Sequence, residues 1–552
     1  MVKTKTRIIF SLIFIFIVFY NQFSASSLNN YSKIDINDNS IVEGIKNDYL
    51  DIIMTIANNL LIYAEHDEIS GLKWSKYPTY IGKNPFYSSK YFYGLHYGAA
   101  GIGEFLLKIY SISNNQSYLL SACSAADYII AHGITDGKYY NRIFNENGYI
   151  FWNKSEDFAS FYSGIKYGNA GMSKFFLNLY KQTLNITYLE IAKKSLNTLK
   201  LTFNKESNAE EGIHGINWGY SLNGTTPITD IIYGNAGIGS IFLYAYELTQ
   251  EPSYLEFASK SMQWIISQSE ITKNTSDGLR FVRYSPDPSY PFAFTGFLTG
   301  NSGIGSIFLD FYDSTSNEDY LLFATQIGNW LLKEEHNGLW KFGGADLLTE
   351  NINEEGNYLG FGAGSAGIGI FLMKLYDKTK NSLYLESIKR IEFMFEKNGK
   401  IDQDKIFWTV QESGIENKTI LTDLKLGNAG IGLFYSNLYN LFGTNESIIK
   451  LKQIANFYRS ITSENNLIPM RIDTQLDNDP LYDFSLLEGQ SGIGYTFQDI
   501  VNNLNSTVKY NNNLYYSIKI NTGLSFFNQQ SIELFIFTMT VVLIKKNKNK
   551  RN

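Results

Sequence analysis

The chain has 552 residues, enough for several domains, and its 44 % hydrophobic content, with 16 % aromatic residues, is ample for a large core. The net charge of −6 and the lack of a basic stripe argue against a nucleic-acid partner. A single cysteine, Cys123, excludes an internal disulfide. Composition therefore indicates a globular protein that is stabilised by its core and not by cross-links.

The N-terminus has the pattern of a secretory signal peptide. A basic stretch at 1–7 precedes an apolar run at 8–20, and small residues follow up to Ser26. The run is short for a spanning helix, which needs about 20 apolar residues. We expect a cleaved signal peptide at 1–26, a linker at 27–41 and secretion, with an uncleaved signal anchor as the alternative. Several N-x-S/T sequons would permit glycosylation, but a chain this rich in Asn would contain them by chance.

From residue 42 to 502 a unit of about 65 residues occurs seven times. Each copy contains a glycine string of the form G-x-[AS]-G, which continues as Ile-Gly in six copies. The strings begin at Gly98, Gly168, Gly234, Gly300, Gly364, Gly427 and Gly489. Such regular spacing is typical of one structural unit copied in tandem. It argues against a nucleotide-binding loop, which occurs once and follows a strand.

Each unit is predicted to contain an outer helix, a long loop and an inner helix. The outer helices are amphipathic, as at 188–200, whereas the inner helices, as at 234–247, are apolar nearly all round. The loops contain aromatic residues such as Trp74, and loops of this length are usually functional. We expect two concentric helical layers, with the glycine-rich helix starts gathered at one end of a ring. Glycine there would allow close approach of neighbouring backbones and aromatic side chains.

Residues 503–552 form a C-terminal extension with a short apolar run at 534–544 and a basic end. Eleven residues are too few to span a bilayer comfortably. The basic flank nevertheless resembles a stop-transfer segment, so a form tethered to the membrane by this tail is the alternative to free secretion.

The repeated strings, and GLHYGAAGIG at 94–103 in particular, resemble the motifs of the lanthionine synthetase C-like family. The resemblance covers residues 42–502. It implies the family's all-α fold, an α/α toroid (barrel) of seven helical hairpins. It also implies a peptide-modifying activity in which zinc activates a peptide thiol, although a fold does not fix a function.

The family's zinc ligands are two Cys and one His, which lie just before the glycine string in two late units. The corresponding positions here are Gly362 and Ala363 in the fifth unit, and Lys425 and Leu426 in the sixth. None of these offers the thiolate or imidazole that zinc prefers. We therefore expect no metal cofactor and a loss of zinc-dependent thioether formation; thioether chemistry with another metal is a further alternative.

Residues just before the strings are expected to line the mouth of the ring. Four positions before the string, glycine is replaced by Asp230 in the third unit and by Asp423 in the sixth, and Glu488 directly precedes the last string. These are the candidate catalytic residues, because paired carboxylates can act as general acid and base. Alternatively, the two aspartates cap helices or hold loops. The candidate ligand-binding residues are His96, Tyr97, Tyr167, His214, Trp218 and Tyr233.

Two functions stay open from the sequence. The first is a secreted family member that binds a peptide or glycan at the mouth without performing chemistry. The second is an enzyme that acts on a carbohydrate or a modified peptide through the acidic residues. Related α/α toroids include glycosidases and sugar epimerases, and aromatic loops would suit stacking on sugar rings.

Overall fold

The computed structural model describes residues 39–78, 91–135, 137–139, 142–144, 148–157, 160–208, 213–222, 224, 226–271, 278–281, 293–342, 356–411, 419–472, 481–510 and 515. The predicted signal peptide, nearly all of the linker and the apolar run at 534–544 lie outside these residues. None of the described helices is both long and apolar enough to cross a membrane.

Two sets of helices alternate along the described chain. The outer helices are α1 (Asn39–Ile62), α3 (Gln116–Ala131), α5 (Ile186–Thr202), α7 (Pro252–Ser267), α9 (Glu318–Lys333), α11 (Ser382–Asn398) and α13 (Asn445–Ile461). The inner helices are α2 (Ala99–Ser113), α4 (Asn169–Thr183), α6 (Asn235–Thr249), α8 (Asn301–Thr315), α10 (Ser365–Thr379), α12 (Asn428–Phe442) and α14 (Gln490–Asn505). Each inner helix begins directly after the first glycine of a string, as predicted.

The inner helices form a closed ring. Each packs against the next inner helix along the chain, and α14 packs against α2 to complete the circle. Each later outer helix packs against the inner helix that precedes it. Helix α1 contacts α14 through Tyr49 and Phe497, whose ring centroids are 4.8 Å apart. The predicted all-α toroid of seven hairpins is thereby confirmed.

Tight turns join each inner helix to the outer helix that follows it. The residue after the inner helix is left-handed, as at Asn114 (φ 53°) and Leu184 (φ 56°). The next residue caps the outer helix, and the Asn115 side chain accepts the backbone N–H of Ser117 at 3.0 Å. Connections this short make the two helices antiparallel neighbours.

The long loops contain short β-hairpins, which the sequence analysis did not predict. The hairpins are formed by the antiparallel strands β1 (Glu65–His66) with β2 (Leu72–Lys73), β3 (Gly137–Tyr139) with β4 (Arg142–Phe144), β5 (Asn204–Asn208) with β6 (Ile213–Asn217), β7 (Ser269–Ile271) with β8 (Leu279–Phe281), and β9 (Lys400–Asp402) with β10 (Lys405–Phe407). A sixth antiparallel pair, β11 (Ile420–Leu421) with β12 (Arg471–Ile472), joins two different loops, because α12 and α13 lie between these strands in the chain. Strands of two to five residues are too short to show a clear alternating pattern.

The loop tryptophans are buried and hold the loops to the helices. The Trp218 backbone N–H donates to Asn235 Oδ1 at 2.9 Å, and the Trp218 indole N–H donates to the Leu199 carbonyl at 2.8 Å. Asn428 and Trp408 form the equivalent backbone contact in the sixth unit. The other buried loop tryptophans are Trp74, Trp152 and Trp340. These rings belong to the core and are not exposed for stacking on a sugar.

Candidate functional site

A collar of backbone hydrogen bonds surrounds the mouth, where the inner helices begin. It is formed by the residues two positions before each glycine string, and in five of the seven units the N–H of this residue donates to the corresponding carbonyl in the next unit. The bonds are His96 to Lys166 (3.2 Å), Lys166 to Ile232 (2.9 Å), Leu298 to Gly362 (2.9 Å), Gly362 to Lys425 (2.5 Å) and Leu487 to His96 (3.2 Å). The collar brings residues from distant parts of the sequence to one end of the ring, as predicted.

Glycine four positions before the string makes room for this collar. A Cβ on Gly94 would lie 2.7 Å from the Lys166 carbonyl oxygen, and one on Gly164 would lie 2.6 Å from the Tyr233 carbonyl oxygen. Both distances are too short for non-bonded atoms, so a side chain at either position would push the neighbouring unit away.

Asp230 and Asp423 occupy this glycine position in the third and sixth units, and both are buried, at 0 % and 3 % exposure. Asp230 Oδ1 accepts the N–H of Tyr233 at 2.8 Å, and Asp423 Oδ1 accepts the N–H of Leu426 at 2.7 Å. Within the described residues, these are the two units whose collar bond to the next unit is not formed. The carboxylates thus support the loops, as the alternative interpretation holds, and a catalytic role for them stays a prediction.

Glu488 connects the last unit to its two neighbours in the ring, the sixth and the first. Its Oε1 accepts the Tyr97 hydroxyl at 2.5 Å and the Lys425 ammonium at 2.9 Å, and its Oε2 lies 3.5 Å from Lys76 Nζ. Burial raises the pKa of Glu488, but Lys425, Lys76 and the Tyr97 hydroxyl outweigh burial and lower it to about 2. Glu488 is therefore ionised at neutral pH.

Lysines dominate the charge of the mouth. They are Lys76, Lys154, Lys166 and Lys425. Lys76 also pairs with the buried Asp483, at 3.3 Å. The ammonium groups of Lys76 and Lys166 lie 3.9 and 4.6 Å from the centroid of the Tyr97 ring, within cation–π range. Burial and the neighbouring charges lower the pKa of Lys166 to about 7, so it is only partly charged at neutral pH. The other three lysines still outnumber the two carboxylates, Glu488 and Asp483, that pair with the lysines, so the mouth favours an anionic group.

Tyrosines of the first three units form one wall of the mouth. Tyr97 lies 5.4 Å from Tyr167, and Tyr220 lies 5.3 Å from Tyr233, measured between ring centroids. Tyr162 connects the two pairs. A shallow cleft of about 140 Å³ opens between the tyrosines of the second and third units, with Lys166 in its lining. This volume includes open solvent, and the cleft encloses no space for a water molecule, so in this structure it is a surface depression and not a formed ligand pocket.

The remaining predicted ligand-binding residues lie in three different settings. Burial, with the charge of Lys166, lowers the pKa of His96 to about 3, and its buried Nδ1 has no hydrogen-bond partner in the described structure. His96 is therefore neutral. Trp218 is 1 % exposed and lies in the core, so we leave it out of the proposed site. The His214 backbone pairs with Ser207 in a β-hairpin, and its side chain is outside the description.

Sequence reasoning missed Lys166, Lys76 and Lys154. A signal for Lys166 was present, because Lys166, Lys425 and His96 share a position that is apolar or glycine in the other units. Lys76 and Lys154 come from loops, whose register the glycine strings do not fix, and nothing in the repeat would have identified them.

A second group of polar side chains, Asp67, His132 and Glu156, brings possible metal ligands within 4.8 Å of one another. Lys73 Nζ lies 2.9 Å from a carboxylate oxygen of both Asp67 and Glu156. An ammonium group thus already pairs with both carboxylates, and the cluster gives no separate support for a metal site.

Several solved structures resemble this fold at low sequence identity. A cellobiose 2-epimerase from Bacillus thermoamylovorans is 14 % identical, covers 68 % of this chain and 92 % of its own, and has a TM-score of 0.44. A GH76 α-mannanase from Bacteroides thetaiotaomicron is 14 % identical, and the match covers 60 % of this chain and 83 % of the mannanase, with a TM-score of 0.41. An inactive α-1,6-mannanase variant of Salegentibacter sp. in complex with α-1,6-mannotriose is 13 % identical, with coverages of 74 % and 99 % and a TM-score of 0.42. We infer nothing about the ligand from likenesses this weak.

The comparison of sequences is more specific. A search of the curated proteins found no match. The family model described as lanthionine synthetase C-like protein matches residues 47–228, 220–344 and 426–512, which together make up well over half of the chain. The protein therefore belongs to the lanthionine synthetase C-like family.

Proposed function

We propose that the protein binds an anionic group of a peptide or glycan at the mouth of its ring. The excess of lysines around Glu488 is the observation that carries this proposal. Glu488 acts as an internal substitute for the ligand, because it occupies the ammonium groups of Lys425 and Lys76. Phosphate and carboxylate groups are the anions that lysine pairs with in proteins.

Zinc-dependent thioether formation is not part of the proposal. The positions of the family's zinc ligands hold Gly362, Ala363, Lys425 and Leu426, so the set of donor atoms does not fit zinc. The Lys425 ammonium group pairs with Glu488 and adds positive charge where a cation would have to bind. We therefore derive no chemical step through a metal.

The proposal includes entry into the secretory pathway. It rests on the basic start, the apolar run at 8–20 and the small residues up to Ser26. N-terminal sequencing of protein recovered from the medium of expressing cells tests this, and a mature chain that still begins at Met1 would contradict it.

Substitution of Lys425 by Gln tests the binding proposal. The change removes one charged hydrogen-bond donor, and such a bond contributes about 1.5–3 kcal/mol. We expect inorganic phosphate and a phosphoserine peptide to bind at least about tenfold more weakly, as measured by titration calorimetry. Glu488→Gln should have the opposite effect, because it removes the internal competitor of the ligand.

Lys260→Gln is the matched control. Lys260 lies on the outer helix α7, where it pairs with Glu256 at the surface. Its substitution should leave phosphate affinity unchanged. Equal affinities of the Lys425→Gln and Lys260→Gln proteins would contradict the proposal. A panel of sulfated and uronic-acid glycans beside the phosphopeptide distinguishes the two ligand classes.

A second candidate function, an enzyme acting on a carbohydrate or modified peptide, is favoured by one observation. Burial raises the pKa of Asp423 to about 7, whereas that of Glu488 is lowered to about 2. Carboxylates with pKa values so far apart suit a general acid and a base. A hydrolysis screen on glycans and peptides tests this, since turnover that persists in both Asp423→Asn and Glu488→Gln would rule out these residues.

A further inference from the structure

Five N-x-S/T sequons lie within the described part of the chain, at Asn115, Asn153, Asn185, Asn445 and Asn505. Their number is not evidence for glycosylation, because a chain this rich in Asn contains sequons by chance. Their settings are informative, because an N-linked glycan is bulky and hydrated, and a folded protein accommodates it only at the surface. The structure therefore separates the sequons that can hold a glycan from those that cannot.

Two of the five sequons are unsuitable. Ser155 supplies the hydroxyl of the sequon at Asn153, and its exposed fraction is 0 %. The side-chain oxygen of Asn153 is buried as well. Ser447 supplies the hydroxyl of the sequon at Asn445, and it too is 0 % exposed, with its Oγ 2.6 Å from Thr444 Oγ1. A transferase has to reach both the asparagine and the hydroxyl, so the folded chain protects these two sites.

Asn115 and Asn185 lie in the tight turns at the end of the ring opposite the mouth, here called the turn end. All three residues of each sequon are exposed. The side-chain Oδ1 of each asparagine accepts the backbone N–H of Ser117 or Thr187, in both turns at 3.0 Å. This cap directs Oδ1 to the helix. The amide nitrogen, which is the atom that carries a glycan, therefore points the other way, and it has no hydrogen-bond partner in the described structure.

The surface around these turns also favours a cover. Leu184 and Ile186 flank Asn185 and are 75 % and 56 % exposed, so a glycan on Asn185 would shield both side chains from water. Asn505, the last residue of α14, is exposed at the same end of the ring. Because α14, α2 and α4 are consecutive in the ring, Asn505, Asn115 and Asn185 lie on neighbouring units.

We propose that Asn115, Asn185 and Asn505 carry N-linked glycans, which cover this sector of the turn end and leave the mouth open to its ligand. Inner helices of 15 residues separate the turns from the mouth by about 22 Å. The inference rests on entry into the secretory pathway, which is part of the proposed function.

The modification is a group transfer from an activated sugar. The asparagine amide nitrogen forms a bond with the anomeric carbon of a glycosyl diphosphate lipid, while the bond between that carbon and the phosphate oxygen breaks. The diphosphate leaves with the electron pair of the broken bond, and the amide nitrogen releases one proton to a base. The transfer needs neither an oxidant nor a reductant. A cellular transferase catalyses the step, so this chain contributes only accessible acceptors.

Mapping of glycosylation sites on the full chain, produced in eukaryotic secretory cells, tests the proposal. Enzymatic deglycosylation in isotopically labelled water converts each glycosylated asparagine to labelled aspartate, which peptide mass spectrometry then locates. We expect the occupancy of Asn115, Asn185 and Asn505 to exceed that of Asn153 and Asn445 by at least about tenfold.

A loss and a gain of a sequon sharpen the test. Ser117→Ala should abolish the glycan on Asn115 alone, since the cap uses the backbone N–H of residue 117 and survives the change. Asn317 is an exposed asparagine in the same position of another turn, where it caps α9 through the N–H of Asp319 at 3.0 Å, but it has no sequon. Asp319→Thr completes a sequon there, and we expect Asn317 to become glycosylated.

The outcomes separate this inference from the proposed function. A secreted chain without glycans on Asn115 and Asn185, or with equal occupancy of Asn153, would overturn the inference and leave anion binding untouched. A full chain that stays in the cytosol would contradict secretory entry and this inference with it. Phosphate titration of the deglycosylated protein tests the anion site separately, since removal of glycans from the turn end should leave phosphate affinity unchanged.

Discussion

Substitution of Gly237 by Ala is expected to destabilise the protein more than any other single methyl addition in helix α6. A Cβ at Gly237 would lie 1.8 Å from the carbonyl oxygen of Ile231, a backbone atom of the loop that leads into the helix. The loop cannot easily move, because Asn235 fixes it to the Ile228 and Trp218 carbonyls. Overpacking costs about 1–3 kcal/mol, and a backbone clash this close lies at the upper end. We expect a loss of about 3 kcal/mol in the free energy of unfolding, measured by denaturant titration.

Gly239→Ala, two residues further along the same helix, is the matched control. The nearest atoms to a Cβ there are the Cβ and Oγ of Ser261, both at 3.1 Å, and the Ser261 side chain is small. Alanine also favours a helix over glycine by about 1 kcal/mol, which offsets the tighter contact. The free energy of unfolding should therefore change by less than about 1 kcal/mol. If both substitutions cost the same, the contact with the Ile231 carbonyl does not explain the glycine.

The contact at Gly237 shows how far the sequence could predict this fold. The spacing of the strings predicted seven inner helices in a ring, and glycine predicted close approach of backbones. Which backbone atoms would approach the glycine could not be predicted from the sequence. The carbonyl that requires glycine belongs to the same unit, and the same contact recurs at Gly303 and Gly367, which face Phe297 and Phe361. In each case the loop turns back so that this carbonyl faces the first turn of its own inner helix. That turn depends on loop dihedral angles, which no periodic sequence pattern specifies.

The site was predictable to the extent that the repeat fixes its residues. Register alone placed Tyr97, Tyr233 and Glu488 at the mouth, and the structure brings all three into one lysine-rich network. The collar explains why, since its hydrogen bonds hold the preceding residues of neighbouring units side by side. The partner of Glu488 from the first loop, Lys76, was missed, because loop residues have no counterpart in register.

Asp423→Asn is expected to stabilise the protein at pH 8. Burial raises the pKa of Asp423 from 3.8 to about 7, with Glu488 adding to the effect. The folded state therefore favours the protonated carboxyl, and the cost of ionising it grows as pH rises from about 4 to 7. Asn is always neutral, and its Oδ1 still accepts the Leu426 N–H. At about 1.4 kcal/mol per pKa unit, the variant should gain up to about 4 kcal/mol at pH 8, and under about 1 kcal/mol at pH 4.

Glu488→Gln, in the neighbouring seventh unit, should have the opposite effect on stability. The pKa of Glu488 is lowered from 4.5 to about 2, so its ion pairs stabilise the folded protein above about pH 4.5, and that stability is lost as the pH falls toward 2. This variant should lose about 3 kcal/mol at pH 8 and only about 1 kcal/mol at pH 3. Denaturant unfolding at pH 8, with pH 4 as the comparison for Asp423→Asn and pH 3 for Glu488→Gln, measures the two effects. A loss of stability in Asp423→Asn at pH 8 would mean that its carboxylate is ionised and stabilising in the folded state, which would also remove the case for Asp423 as a general acid.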